Sequence, residues 1–256
     1  MSEHNKDVFY VGYLPLPKAI KRFIVPWLVG NLVLAVGIAA VIASNHREPG
    51  DGVWNTSSRY TAPGQLVKEP YPMLVTDKGT YLLVEQGKIG TQERVKDLVA
   101  GGFYNVEGYL IERAGRKMIE IDGTLEDPIS PIVIDDTPVA PLDKRLKKDL
   151  GTHTLRGEIV DPKCYLGVMQ PGDGKTHKVC ATLCIKGGIP PMLLVKNDKG
   201  DTAAYLLTDA EGNAFPESHH EYIADPIEVT GQVHRDGDLL ILRADLDSIR
   251  RLGVRD

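Results

Sequence analysis

The chain has only three cysteines, Cys164, Cys180 and Cys184, and it contains neither a Cys-x-x-Cys nor a Cys-x-x-Cys-His spacing. The first absence argues against a thioredoxin-like dithiol, and the second excludes covalent haem attachment of the usual kind. Positive charge is also short. Lys and Arg total 30 against 35 Asp and Glu, for a formal net charge of -5, which removes a nucleic-acid surface that must displace counterions. No Ser/His/Asp spacing or carboxylate pair stands out as a catalytic set. Gly172-Asp173-Gly174-Lys175-Thr176 lacks the Gly-x-x-x-x-Gly-Lys spacing of a phosphate loop and reads as a turn. A hydrophobic share of 42% with 25% charged residues is ordinary for a globular chain, which argues against bulk disorder.

What the sequence does have is one long apolar run. Phe23 to Ala43 carries no charge, and its one strongly polar side chain is Asn31. A helix rises about 1.5 Å per residue, so roughly 20 such residues cross a bilayer core of about 30 Å. Lys18, Lys21 and Arg22 precede the run, whereas His46, Arg47, Glu48 and Asp51 follow it with no positive excess. The positive-inside bias then predicts a single-pass bacterial inner-membrane protein. Residues 1–22 would be cytoplasmic, 23–43 the span, and everything beyond Ser44 periplasmic. A secretory signal peptide is the alternative, with small residues at the ends of Val41-Ile42-Ala43 resembling a cleavage site, but the run and its leader are longer than that class requires.

Residues 44–63 are polar, with Gly and Pro, and read as a tether. Short apolar runs follow. Met73-Leu74-Val75 and Tyr81-Leu82-Leu83-Val84 flank Asp77-Lys78-Gly79, a hairpin signal. Glu93 to Ala100 has helical spacing and is stopped by Gly101-Gly102. Tyr104 to Glu112 and Lys117 to Ile121 form a second hairpin around Ala114-Gly115. The proline-rich stretch after Asp122 reads as a linker, and Lys144 to Lys148 as a solvated helix face.

The two halves match in order. Pro72-Met73-Leu74-Val75 parallels Pro191 to Val195, Tyr81-Leu82-Leu83 parallels Tyr205-Leu206-Leu207, and Val106-Glu107-Gly108 parallels Val229-Thr230-Gly231. Met118-Ile119 parallels Ile241-Leu242. We read this as an internal repeat. A unit of about five short strands buries its alternate residues best in a small closed barrel, which removes free edges. The predicted fold is therefore mainly β: one N-terminal transmembrane helix, then two small OB-like β-barrel units in tandem. These span residues 64–122 and 153–250, joined by a linker over 123–152.

Between Leu155 and Ile189 the second half carries a segment that the first half lacks. It holds all three cysteines, His177 and Met169. If Cys180-Ala181-Thr182-Leu183-Cys184 is helical, both sulfurs lie on one face and His177 joins them. Cys164, at a strand end, can approach from the side. A set of Cys164, His177, Cys180 and Cys184 suits zinc or Cu(I), and Met169 could add a thioether for copper. The competing reading is a disulfide between Cys164 and either Cys180 or Cys184, where loop closure contributes on the order of 3 kcal/mol. Thiol redox chemistry is a third reading. Asp161 and Lys163 read as a local ion pair.

The motif Asp161-x-x-Cys164, then His177-x-x-Cys180-Ala181-x-x-Cys184-Ile185 and a glycine pair, resembles a group of uncharacterised bacterial membrane-anchored envelope proteins. The Gly12 to Pro17 stretch and the apolar run also look like longer members of that group. The resemblance implies a membrane-anchored β-rich protein and supplies no catalytic residues. The expectation is a non-enzymatic accessory or assembly subunit of an envelope complex, respiratory or otherwise metal-containing. It would contact the bilayer through its helix and a protein partner through its body, without nucleic acid. A metal-binding or electron-transfer subunit and a thiol redox protein are the alternatives.

Overall fold

The computed structural model describes residues 17–45, 52–132, 147–197 and 200–253. The chain divides into two units, Met1–Glu48 and Pro49–Asp256. The first holds α1 (Lys18–Asn45), 28 residues long with Pro26 inside it. It is long and apolar enough to cross a membrane. The Asn31 amide donates to the Trp27 carbonyl at 2.8 Å, so this one polar side chain is satisfied within its own helix.

The second unit is built on two antiparallel-rich sheets. Its first strands are β1 (Val53–Trp54), β2 (Tyr60–Val67), β3 (Met73–Thr76) and β4 (Gly79–Val84). A short α2 (Gln92–Val95) leads to β5 (Phe103–Arg113), β6 (Arg116–Ile121) and β7 (Ile129–Pro131). β5, β2, β3, β4 and β6 pair in that order and β6 returns to β5, so the ladder closes into a five-stranded barrel. The later strands are β8 (Lys147–Val160), β9 (Met192–Lys196), β10 (Thr202–Asp209), β11 (Pro226–Asp236), β12 (Leu239–Ala244) and β13 (Arg250–Arg251), with α3 (Lys178–Lys186) between β8 and β9. Here β11, β8, β9, β10 and β12 pair in succession, and β12 pairs again with β11.

Several elements differ from the sequence expectation. β1 and the start of β2 occupy part of the stretch read as tether, since Tyr60 to Pro63 already pair with β5. β7 places part of the expected linker on the first sheet. Lys147 and Lys148 open β8, opposite Asp236 and Arg235, rather than lying on a helix; residues 133–146 of that linker lie outside the described residues. The helix expected over 93–100 is only the single turn of α2.

The pairing registers of the two sheets correspond residue by residue. Gly108 stands opposite Tyr60, and Gly231 opposite His153. A Cβ on Gly108 would strike the Glu120 carbonyl across the hairpin, and one on Gly231 would strike that of Arg243. The Leu83 and Leu207 amides donate to the Pro72 and Pro191 carbonyls, each at 3.0 Å.

Alternation along the strands distributes three cores. Leu74, Tyr81, Leu83, Ile119 and Ile121 point into the first barrel. Leu193, Leu207, Val229 and Leu242 fill the second sheet's interior. Their neighbours Met73, Leu82, Val84, Met118, Met192, Leu194, Ala204 and Leu206 meet in a shared core between the sheets. Strands β3, β4, β9 and β10 are thus apolar on both faces, which explains why they read as unbroken runs and not as alternating patterns. Each such side chain, fully buried, contributes roughly 1.5–3 kcal/mol.

Tyr71 fastens this seam. It precedes β3, yet its hydroxyl donates to the Leu207 carbonyl at 2.8 Å and accepts from the Phe215 amide at 2.8 Å. Burial pushes its phenol well above the usual range. Tyr71→Phe would orphan a buried carbonyl and a buried amide together, each at about 1–3 kcal/mol. We expect a loss of about 2–4 kcal/mol in urea unfolding of the full chain; a change below about 0.5 kcal/mol would show that the clamp contributes nothing.

Candidate metal centre

The site is built where β8 leaves the second sheet. Val160 ends the strand, and Asp161 turns the chain. Its Oδ1 accepts the Cys164 amide at 3.0 Å and its carbonyl accepts the Tyr165 amide at 3.1 Å. This starts a π-helical turn over Cys164–Val168 that drives Cys164, Tyr165 and Leu166 into the shared core. The chain then crosses a glycine-rich turn. There the Gly174 amide donates to Glu158 Oε1 at 2.5 Å, fixing the turn to β8. The segment predicted as a turn and not a phosphate loop is a bend followed by a single 3-10 turn, Lys175–His177. α3 begins directly after His177, with Cys180 and Cys184 one turn apart on it.

Asp161, Cys164, His177 and Cys180 converge. One donor atom from each lies within 4.8 Å of all the others. The Cys164 and Cys180 sulfurs are 3.9 Å apart, and His177 Nε2 is 3.2 Å from Asp161 Oδ2. Asp161, Cys164 and His177 are buried, and Cys180 is partly exposed. All three cysteines are free thiols.

Of the residues singled out from the sequence, Cys164, His177 and Cys180 belong to this set. Cys184 lies outside it, although it is buried and its sulfur is 3.6 Å from the Lys88 ammonium. Met169 follows the π-helical turn with its amide on the Cys164 carbonyl, and its residue is 44% exposed. The expected ion pair between Asp161 and Lys163 does not form. Asp161 faces His177, while Lys163 pairs with Glu120 Oε1 at 2.6 Å. The physical reason is direction: the turn after Asp161 sends the next side chains to opposite sides, one toward α3 and one across the seam.

The first sheet's contribution escaped the sequence reading altogether. The loop after β4 reaches the cysteines through Lys88, whose Nζ is 2.6 Å from the Cys180 sulfur and 3.6 Å from that of Cys184. The hydrogen bond to Cys180 raises the Lys88 ammonium above its ordinary value against the opposing effect of burial. That loop is held from beneath by Lys163, which donates to the Glu85 and Gly87 carbonyls at 2.7 Å each. It is held from the side by the Gly90 amide on the Gly187 carbonyl at 2.8 Å. Gly187 has no room for a side chain there, because a Cβ would strike the Lys88 carbonyl. The Cys164 thiol is pushed up by the neighbouring Cys184 and then by burial and the Asp161 charge.

No family model matches the chain, and no curated protein shows significant similarity to it. Neither comparison supports the resemblance to envelope proteins, and the chemistry has to be argued from the donors.

Proposed function

We propose that this chain is a membrane-anchored zinc-class metal-binding protein, an accessory or assembly subunit of an envelope complex and not an enzyme. One observation carries the metal reading: the spacing of the four donors. Two thiolates each about 2.3 Å from a tetrahedral ion are ~3.8 Å apart, and nitrogen and oxygen donors each at about 2.0 Å are ~3.3 Å apart. The sulfur pair at 3.9 Å and the His177–Asp161 pair at 3.2 Å fit those two edges. The carboxylate among the donors favours zinc over Cu(I), which selects soft sulfur ligands. Charge points the same way. Ligation by Asp161, Cys164 and Cys180 brings three negative charges; a divalent ion leaves one, and the Lys88 ammonium stands beside it.

Four protein donors complete a tetrahedron and leave no open position for substrate, which is the pattern of a structural and not a catalytic site. The apolar α1 supports a bilayer anchor, and the charge asymmetry around it supports an N-terminus in the cytoplasm and a periplasmic body. The matched registers support two OB-like units descended from one duplicated unit.

A second reading, a Cys164–Cys180 disulfide, is favoured by the same short sulfur separation. Metal analysis of the full chain, purified in detergent under reducing conditions without chelator, separates the two. The expected result is about one zinc per chain, lost in Cys180→Ser. A metal-free wild-type chain that forms a Cys164–Cys180 bridge on air exposure, seen by mass spectrometry, would overturn the zinc assignment.

A further inference from the structure

The correspondence between the sheets assigns a counterpart to the metal-bearing segment, and that counterpart is a cavity. In the second sheet the connection from β8 to β9 is the long Asp161–Pro191 segment, which packs against the first sheet near Val53, Arg113 and the 85–90 loop. In the first sheet the matching connection from β2 to β3 is only Lys68–Pro72. Its Pro70 lines a cavity of about 270 Å³, and the other walls come from the second sheet: the start of β8, the end of β11, β12, Thr208 and Gly212. Gly212 holds the place that Lys88 holds on the other side, as the Tyr81/Tyr205 and Val84–Gly90/Thr208–Ala214 pairings require.

The walls have changed character, not merely lost a tenant. Ile111 pairs with Met118 as His234 pairs with Ile241, and Val53 pairs with Glu112 as Lys148 pairs with Arg235. Glu120, which binds Lys163 on the metal side, corresponds to Arg243. Where one face presents isoleucine, valine and glutamate, the other presents histidine, lysine and arginine. Lys147 and Arg235 also line the cavity. Asp149 and Asp236 are the acidic members of the wall. Asp149 is occupied by the Gly151 amide and the Gln232 side chain. His234 Nε2 is buried without a hydrogen-bond partner among the described residues.

We propose that this cavity binds a small, multiply charged oxyanion, a phosphate ester or a polycarboxylate, held by Arg243, Lys147 and Lys148 with His234 at its floor. The volume admits a compact molecule and not a nucleotide or a peptide, being at the low end for ligand pockets. Planar Arg243 supplies the paired donors that carboxylates and phosphates take up. The proposal is independent of the metal assignment, since no donor is shared.

The test is calorimetric titration of the full chain in detergent with pyrophosphate and, separately, citrate, at moderate salt. Saturable one-site binding of either probe is expected, and the tighter probe names the source chemistry. Arg243→Glu, which restores the acidic residue of the opposite face, should weaken binding at least about tenfold. His234→Ile should weaken it less. Lys96→Glu, an exposed charge reversal at a residue that does not line the cavity, should leave it within about twofold and controls for net charge. The metal content of all three variants should match wild type. No saturable binding of either probe, or equal weakening by Arg243→Glu and Lys96→Glu, would overturn the site.

Discussion

Replacing Lys163 with methionine is expected to destabilise the body by about 3–5 kcal/mol, the range for removing one partner of a buried ion pair. Lys163 and Glu120 are 3% and 4% exposed. The ammonium places one donor on Glu120 and two on the Glu85 and Gly87 carbonyls, so all three of its protons are used. Methionine keeps the stem but leaves a buried carboxylate uncompensated and two carbonyls unbonded. Lys163→Met with Glu120→Leu removes both charges and should recover most of the loss, because an apolar pair of similar volume is often neutral in such places. Urea unfolding of the metal-free full chain measures both. If the single variant loses less than about 1 kcal/mol, or the double variant is no better than the single, the pair is not the element that joins the sheets. Because the same ammonium supports the 85–90 loop, the single variant should also loosen the hold of Lys88 on the cysteines.

The reason Lys163 was misread shows where sequence reasoning stops. Asp161-Pro162-Lys163 is a plausible local pair on paper, and nothing adjacent announces Glu120. The partner is chosen by the fusion of two sheets through the outer faces of β3, β4, β9 and β10, and that fusion depends on which faces are apolar on both sides. The raw signal was there: Tyr81-Leu82-Leu83-Val84 and Tyr205-Leu206-Leu207 are unbroken and not alternating. Reading them as strands was enough to find the elements, while their pairing was not read from the sequence. The turn chemistry was equally local, as at Ala114-Gly115, where both residues adopt positive φ to close the β5–β6 hairpin. Helical spacing likewise put Cys180 and Cys184 on one face of α3. What spacing could not give was rotation about the end of β8. That turn makes Asp161 a donor toward α3, and the fused first sheet then brings Lys88 over the sulfurs.

That difference in ligand set leads to the largest effect we expect. Spacing alone nominated Cys164, His177, Cys180 and Cys184; the folded chain instead gathers Asp161 with the first three. If zinc is held by the folded set, Asp161→Asn removes an anionic ligand and its charge together. Even groups one step removed from a metal cost 10–100-fold in affinity when lost, so a direct ligand should cost more than ~100-fold. Cys184→Ser leaves all four donors in place and removes only a buried thiol outside the set, so it should cost less than about tenfold. Competition against a chelator of known zinc affinity, on the full chain under reducing conditions, reads both values on one scale. Asp161→Cys supplies a control against simple misfolding, since it restores an anionic donor at the same position and should regain most of the affinity. The reverse order, with Cys184→Ser severe and Asp161→Asn mild, would return the site to the three-cysteine set and assign Asp161 to orienting His177, the usual role of a carboxylate behind a metal-bound imidazole.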